Sequence, residues 1–323
     1  MHKNWIRAVV LIFLAGISLP ALSQSWPARP VRVILAIAPG SVADVIVRGL
    51  SQEMSGRLGQ SFVVENRPGG NMIIGAEACK SSAPDGYTIC VIAIDAFSVN
   101  PFTFAKLPYD PEKDFKPVTL LVYVMEALVV NGSLAVNSVA ELRALAAAKP
   151  GQLNFATLGI GSSTEFYLAW LQQKLNAAML PVPYKGGGPV ATALLAGEVQ
   201  VAHLGLGNFA SHIRSGRIKA LAVEGPRRYR LFPDVPTSAE AGLGEWPSRA
   251  WWGVFAPAGT PDAIVARLSA EIRRLFSEPK FAEFLESNFM DAAADTPEAF
   301  AAFLKADRER GAALVKQARQ ATR

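Results

Sequence analysis

Few residues in this sequence are of the types that make or break bonds, and fewer are spaced to do so together. Ser162 and Ser163 follow Gly159-x-Gly161, and Ser41 follows Pro39-Gly40. Asp44 stands near the first of these loops and Asp95 near the end of an apolar run. The histidines are His2, His203 and His212, and the cysteines are Cys79 and Cys90. A serine hydrolase needs a histidine beside an activated serine, and the G-x-S-x-G elbow is absent. Ser162 stands three residues before Glu165, a capping box, so a helix N-cap explains it better than a nucleophile does. The two cysteines and two later histidines have no zinc-ligand spacing. In Tyr184-Lys185-Gly186-Gly187-Gly188 the lysine precedes the glycines, the reverse of a phosphate loop, and G-x-G-x-x-G is missing. Lys185 can meet an anion or simply be solvated, and solvation is the reading taken here. Asp44 and Asp95 are candidates for cleft acids, with helix-cap and loop-cap roles as their alternatives. No metal and no cofactor is expected.

The chemistry left is anion binding by backbone N–H groups, and two stretches are built for it. Val31 to Leu50 reads as a buried strand, a Pro39-Gly40-Ser41 loop and a helix with Ile46, Leu50, Met54 and Leu58 at helical spacing. Ser41 or Asp44 can cap that helix. Leu153 to Leu171 repeats the device, with Gly159-x-Gly161-Ser162-Ser163 as its loop. A helix start carries free N–H donors and partial positive charge, so it takes anions readily. The plain alternative is that strand–loop–helix turns use Gly and Ser anyway. Our expectation is that the two loops sit on different lobes, face each other across a cleft and share one small anion.

The remainder of the chain frames those units. His2, Lys3 and Arg7 head an apolar run from Ala8 to Leu19, and Ala21-Leu22-Ser23 supplies small residues, so residues 1–23 read as a cleaved secretory signal. The run is too short to span a bilayer, and no cysteine follows it for lipid attachment. Removing it deletes Lys3 and Arg7, lowering the formal charge from +5 to +3, a weak bias toward anions and far from a nucleic-acid footprint. The expected location is the periplasm. In an exported protein, Cys79 at a helix end and Cys90 in the next strand, with Pro84-Asp85-Gly86 turning between them, read as a disulfide; two buried thiols are the alternative. Strands alternating with helices indicate an α/β fold. Val118 to Asn131 is strand-like and long enough to pass from one lobe to the other. Residues 24–125 and 248–323 are assigned to the first lobe and 126–247 to the second.

These motifs together resemble the exported solute-binding proteins of the tripartite tricarboxylate transporters, the TctC or Bug type. The resemblance is carried by Ala38-Pro39-Gly40 to Asp44, Val64-Glu65-Asn66-Arg67-Pro68-Gly69, Ile74-Gly75-Ala76-Glu77, Pro84-Asp85-Gly86-Tyr87-Thr88 and Asn100-Pro101. In the second half it is carried by Gly159-x-Gly161-Ser162-Ser163, Val182-Pro183-Tyr184-Lys185-Gly186-Gly187, Pro233-Asp234-Val235-Pro236-Thr237 and Phe255-Ala256-Pro257-Ala258-Gly259-Thr260-Pro261. It implies a two-lobed, type II binding-protein architecture that closes like a flytrap on a small carboxylate. It also implies a non-enzymatic role and delivery to a membrane permease of one large and one small subunit. Carried over by position, the ligand-binding residues are Ala38, Pro39, Gly40, Ser41, Val42, Ala43 and Asp44 from the first loop. Thr157, Gly159, Gly161, Ser162, Ser163 and Thr164 come from the second, with Asp95 and Gly205 added from neighbouring strand ends.

The chain departs from the family pattern in ways that bear on the ligand. Ser41 stands where the first loop usually has glycine, and Ala43 where a hydroxyl residue is usual. Thr164-Glu165 stands where histidine is frequent, and Leu204-Gly205 where aspartate is. A Glu165 folded back as a cap is harmless, whereas one pointed into the cleft would repel a second carboxylate. These changes predict a monocarboxylate, an aromatic acid or an amide-bearing ligand rather than a di- or tricarboxylate. A sensor that hands its loaded state to a membrane signalling protein is the alternative to a transport receptor, and an exported hydrolase is a distant third. The expected state is a monomer.

Overall fold

The computed structural model describes residues 26–321; the signal segment lies outside them. In chain order the elements are β1 (Val31–Leu35), α1 (Val42–Leu58), β2 (Phe62–Asn66), α2 (Ile73–Lys80), β3 (Thr88–Ala93), α3 (Asn100–Thr103), β4 (Phe115–Val124) and β5 (Glu126–Asn131). There follow α4 (Val139–Ala148), β6 (Asn154–Thr157), α5 (Ser163–Leu175), β7 (Leu180–Pro183), α6 (Gly187–Ala196), β8 (Val201–Gly205), α7 (Ala210–Arg214) and β9 (Ile218–Val223). The chain ends with β10 (Trp251–Pro257), α8 (Asp262–Phe276), α9 (Pro279–Ser287), β11 (Met290–Ala292) and α10 (Pro297–Ala321).

The strands form two sheets, ordered β11-β4-β10-β3-β1-β2 and β7-β6-β8-β5-β9, and each sheet is the centre of one lobe. In the first, β1 pairs in parallel with β2 and β3. In the second, β6 pairs in parallel with β7 and β8. Such strands are buried on both faces, which is why Val31, Val33, Ile34 and Leu35 are all apolar and inaccessible. The run from Val118 to Asn131 divides at Met125, so β4 ends in the first sheet and β5 opens the second. Residues 224–250 bring the chain back, and β10 inserts antiparallel between β3 and β4.

Two features fix the site's surroundings. The Cys79–Cys90 disulfide joins the end of α2 to the middle of β3. A π-helical turn over Asp95–Val99 follows β3 directly, and α10 packs against it. Phe97 stacks on Phe255 with ring centroids 3.9 Å apart. Asp307 of α10 accepts hydrogen bonds from Ser98 and from the Trp251 indole. Gly311 allows this approach, since a Cβ there would lie 1.7 Å from the Ser98 carbonyl. The turn that carries Asp95 is therefore held rigidly.

Candidate functional site

The loops after β1, β3, β6 and β8 leave the carboxyl ends of parallel strands and meet between the lobes, where open α/β sheets place their ligands. Ser41 is the N-cap of α1 and its hydroxyl accepts the Asp44 N–H at 3.2 Å. Asp44 itself turns back from the cleft. Its carboxylate accepts from Arg48 Nε at 3.0 Å, Asn66 Nδ2 at 2.9 Å and the Gly40 N–H at 3.2 Å. Burial pushes its acidity down, but those donors outweigh burial and hold the carboxyl below its ordinary range. Asp44 is a brace for the loop.

The second loop is braced in the same manner. Gly159 and Gly161 have φ of +119° and +76°, conformations that favour glycine. Ser162 caps α5, donating to the Gly159 carbonyl at 2.7 Å and accepting the Glu165 N–H at 3.3 Å. The Glu165 carboxylate accepts the Gly161 N–H, so it is folded back as the capping-box partner. Thr164 Oγ1 accepts the Leu158 N–H at 2.8 Å, and Thr157 is buried beneath the loop.

Between the loops lies a cavity of about 60 Å³. Ser41, Val42, Ala43, Asp95, Ser163, Thr164 and Gly205 line it. Ala38, Pro39, Gly40, Asp44, Thr157, Gly159, Gly161 and Ser162 are not among its lining residues; they shape the loops behind it. The lobes are bonded across it. Asp95 Oδ1 accepts the Ser163 N–H at 2.8 Å, and Asn208 Oδ1 accepts the Val42 N–H at 2.9 Å. The Ala38 N–H donates to the Lys185 carbonyl at 3.2 Å, and Asn71 Nδ2 to the Gly161 carbonyl at 3.3 Å. Each helix start has thus given one N–H to a side chain of the other lobe. Among the described residues, the Ser41, Ala43 and Thr164 N–H groups have no acceptor. Lys185 has an exposed side chain and does not line the cavity.

Among the cavity residues that sequence reasoning missed, Asn208 and Glu126 bear on its chemistry. Asn208 lies in the β8 loop, and nothing local marks it as a cross-lobe cap. Glu126 was readable in principle, as the one acid within the apolar run from Val118 to Asn131. It is 8% exposed and lines the same cavity. Burial pushes its carboxyl upward, and His203 opposes this. Burial likewise raises the Asp95 carboxyl, to about 6, against the donors of Ser163. His203 lies between Glu126 and Glu224, with nitrogen–oxygen separations of 3.9 and 3.5 Å, and its ring stacks on Tyr167. Glu224 also accepts from Tyr167 and Ser238 at 3.0 and 2.7 Å. Those donors and His203 hold Glu224 below its ordinary range despite burial.

A larger opening, about 1290 Å³, lies along the strands that join the lobes and also touches Glu126 and Glu224. Four of the five arginines that line it are already committed, Arg228 to Glu240, Arg230 to Glu286, Arg249 to Asp291 and Arg310 to Asp307, which leaves Arg227. No helix start faces it, so its size does not make it the anion site.

Two lobes, a cleft at the carboxyl strand ends and opposed helix starts define a flytrap-type solute-binding protein. The chain belongs to the family described as "Tripartite tricarboxylate transporter family receptor", TctC, whose model matches residues 46–319. It is 35% identical to the UPF0065 protein in the tcbD-tcbE intergenic region of Pseudomonas sp. (strain P51), over 95% of this chain and 94% of that one. Among solved structures, the periplasmic binding protein BugD superposes with a TM-score of 0.86 at 31% identity, covering 91% and 98% of the two chains. Rpa4515 of R. palustris, solved with adipate, gives 0.87 at 28% identity over 91% and 98%. MatC of Rhodopseudomonas palustris, solved with malate, gives 0.83 at 30% identity over 90% and 100%. BugD is a periplasmic binding protein, and the family resemblance drawn from the sequence holds. No described helix is long and apolar enough to cross a membrane.

Proposed function

We propose that the chain is an exported receptor that captures a small carboxylate between its lobes and delivers it to a membrane permease of one large and one small subunit. Cleavage after Ser23 releases it to the periplasm. Residues 24–125 and 248–323 form one lobe and 126–247 the other. The observation that carries this reading is that the starts of α1 and α5 line one buried cavity, with the N–H groups of Ser41, Ala43 and Thr164 left as donors. Each bond from such a donor to a carboxylate contributes roughly 1.5–3 kcal/mol. Three or four, less the ordering cost, reach the roughly −8 kcal/mol of micromolar binding. Adipate in Rpa4515 and malate in MatC support carboxylates as the ligand class.

The test is a thermal-shift screen of the mature protein, unfolded and refolded to remove carried ligand, against mono-, di- and tricarboxylates. Saturation at a hundredfold over Kd adds about 2.7 kcal/mol, roughly 4 °C for a chain of this size. A shift with at least one carboxylate is expected. Shifts confined to uncharged sugars or to metal ions would refute the reading.

A further inference from the structure

Two relatives solved with ligand, Rpa4515 and MatC, hold dicarboxylates, yet this cleft already contains carboxylates of its own. Asp95, 1% exposed, sets its Oδ1 on the N–H at the start of α5, a 13-residue helix. Glu126, on β5, lines the same cavity. No lysine or arginine does. We propose that Asp95 sets the ligand class through the negative charge it fixes at the start of α5, so that the chain selects a molecule with one carboxylate and one cationic nitrogen over a dicarboxylate. This rests on the receptor reading above.

The charges facing the site from each packed element point the same way. Asp95 comes from the turn after β3, Glu126 from β5 and Glu224 from the end of β9. The imidazole of His203, on β8, faces Glu126 and Glu224, and the neutral Tyr167 of α5 lies over it. At pH 7 Asp95 and Glu224 outnumber the one imidazole, so the region is negative in either state of the ring whatever the state of Glu126. In a site shielded from water, a further carboxylate is repelled and an ammonium attracted, far more strongly than at the surface. His203 is buried and lines a small adjoining cavity with Glu126, Ser163 and Thr164, with its Nε2 3.5 Å from Glu224 Oε1. The ligand's carboxylate is then held by Ser41 and Ala43 at the α1 start, and its nitrogen lies toward Asp95 and Glu126.

The test is calorimetric titration of the stripped mature protein at pH 7 with matched pairs: glycine and acetate, 4-aminobutyrate and butyrate, phenylalanine and 3-phenylpropanoate, together with malate and adipate. In at least one pair the nitrogen-bearing member is expected to bind at least tenfold tighter. Asp95→Asn, which keeps an oxygen for the Ser163 N–H, is expected to abolish that preference and to tighten malate or adipate at least tenfold. Lys185→Ala, at an exposed side chain outside the cavity, serves as a folded control that leaves the nitrogen preference in place. Malate or adipate binding tightest to the unaltered protein, or an unchanged ratio in Asp95→Asn, overturns the proposal. Carboxylates that bind with no preference for nitrogen overturn it alone. Absence of any carboxylate binding overturns the receptor reading with it.

Discussion

Asp95 is the residue on which the chemistry of the cleft turns, and its burial has a consequence for stability. Its carboxyl titrates at about 6 in the fold against an ordinary 3.8. The folded state therefore holds a proton that the unfolded chain has lost, and stability falls as pH rises from about 4 through 6. Asp95→Asn removes that slope. It is expected to stabilise the unliganded protein at pH 7 by about 1–3 kcal/mol and to leave it unchanged near pH 4. Melting temperatures of both proteins from pH 4 to 8 decide this, and parallel curves would count against it. Glu126, also raised by burial, leaves a residual slope of the same sign. Glu224, held low, contributes stability that is lost on acidification. At this scale the sequence was legible in part. Asp44 and Asp95 both stood beside loops, and only packing shows that one turns to Arg48 and Asn66 while the other enters the cleft. Glu165 offered two orientations from one spelling, and the capping one is adopted.

At the scale of elements, the strand–loop–helix units could be read because their signals are local: apolar runs, a Gly turn and a serine cap. Ser162→Ala removes the cap of α5 and one of the two hydrogen bonds to the Gly159 carbonyl, leaving that from the residue 162 N–H. It is expected to cost about 1 kcal/mol, within the 0.5–2 kcal/mol of such caps, as read by denaturant unfolding. Replacing Cys79 and Cys90 with alanine reopens a short loop and is expected to cost about 3 kcal/mol by the chain-entropy argument, again by denaturant midpoint. A change below 0.5 kcal/mol would show that the bridge constrains nothing the fold does not already fix. The helix Gly187–Ala196 begins inside the Gly186-Gly187-Gly188 run, and Pro189 fits its first turn. The helix Pro279–Ser287 and the strand Met290–Ala292 were not read from the sequence. The strand is three residues long and is defined by its pairing with β4, a tertiary fact that no local pattern encodes.

For the whole molecule, the function proposed depends on lobes that meet. Gly161 touches the first lobe so closely that a Cβ there would lie 2.3 Å from Thr103 Cγ2. Gly161→Ala is therefore expected to hold the lobes apart, weakening ligand at least tenfold and enlarging the radius of gyration measured with ligand by small-angle scattering. Adding Thr103→Ser, which removes the obstructing methyl, is expected to restore part of the affinity. No recovery would assign the loss to the +76° backbone instead. Two lobes could be inferred from the sequence because the same unit occurs twice, more than a hundred residues apart. The cross-lobe pairs Asp95–Ser163 and Asn208–Val42 could not, since partners 68 and 166 residues distant leave no local trace. The most direct measurement is hydrogen–deuterium exchange of the stripped protein with and without the carboxylate that gives the largest thermal shift. The account predicts that exchange slows together in residues 38–46 and 157–166, one loop from each lobe. Protection of only one of these loops, or of residues 225–231 and 245–249 along the larger opening instead, would contradict it.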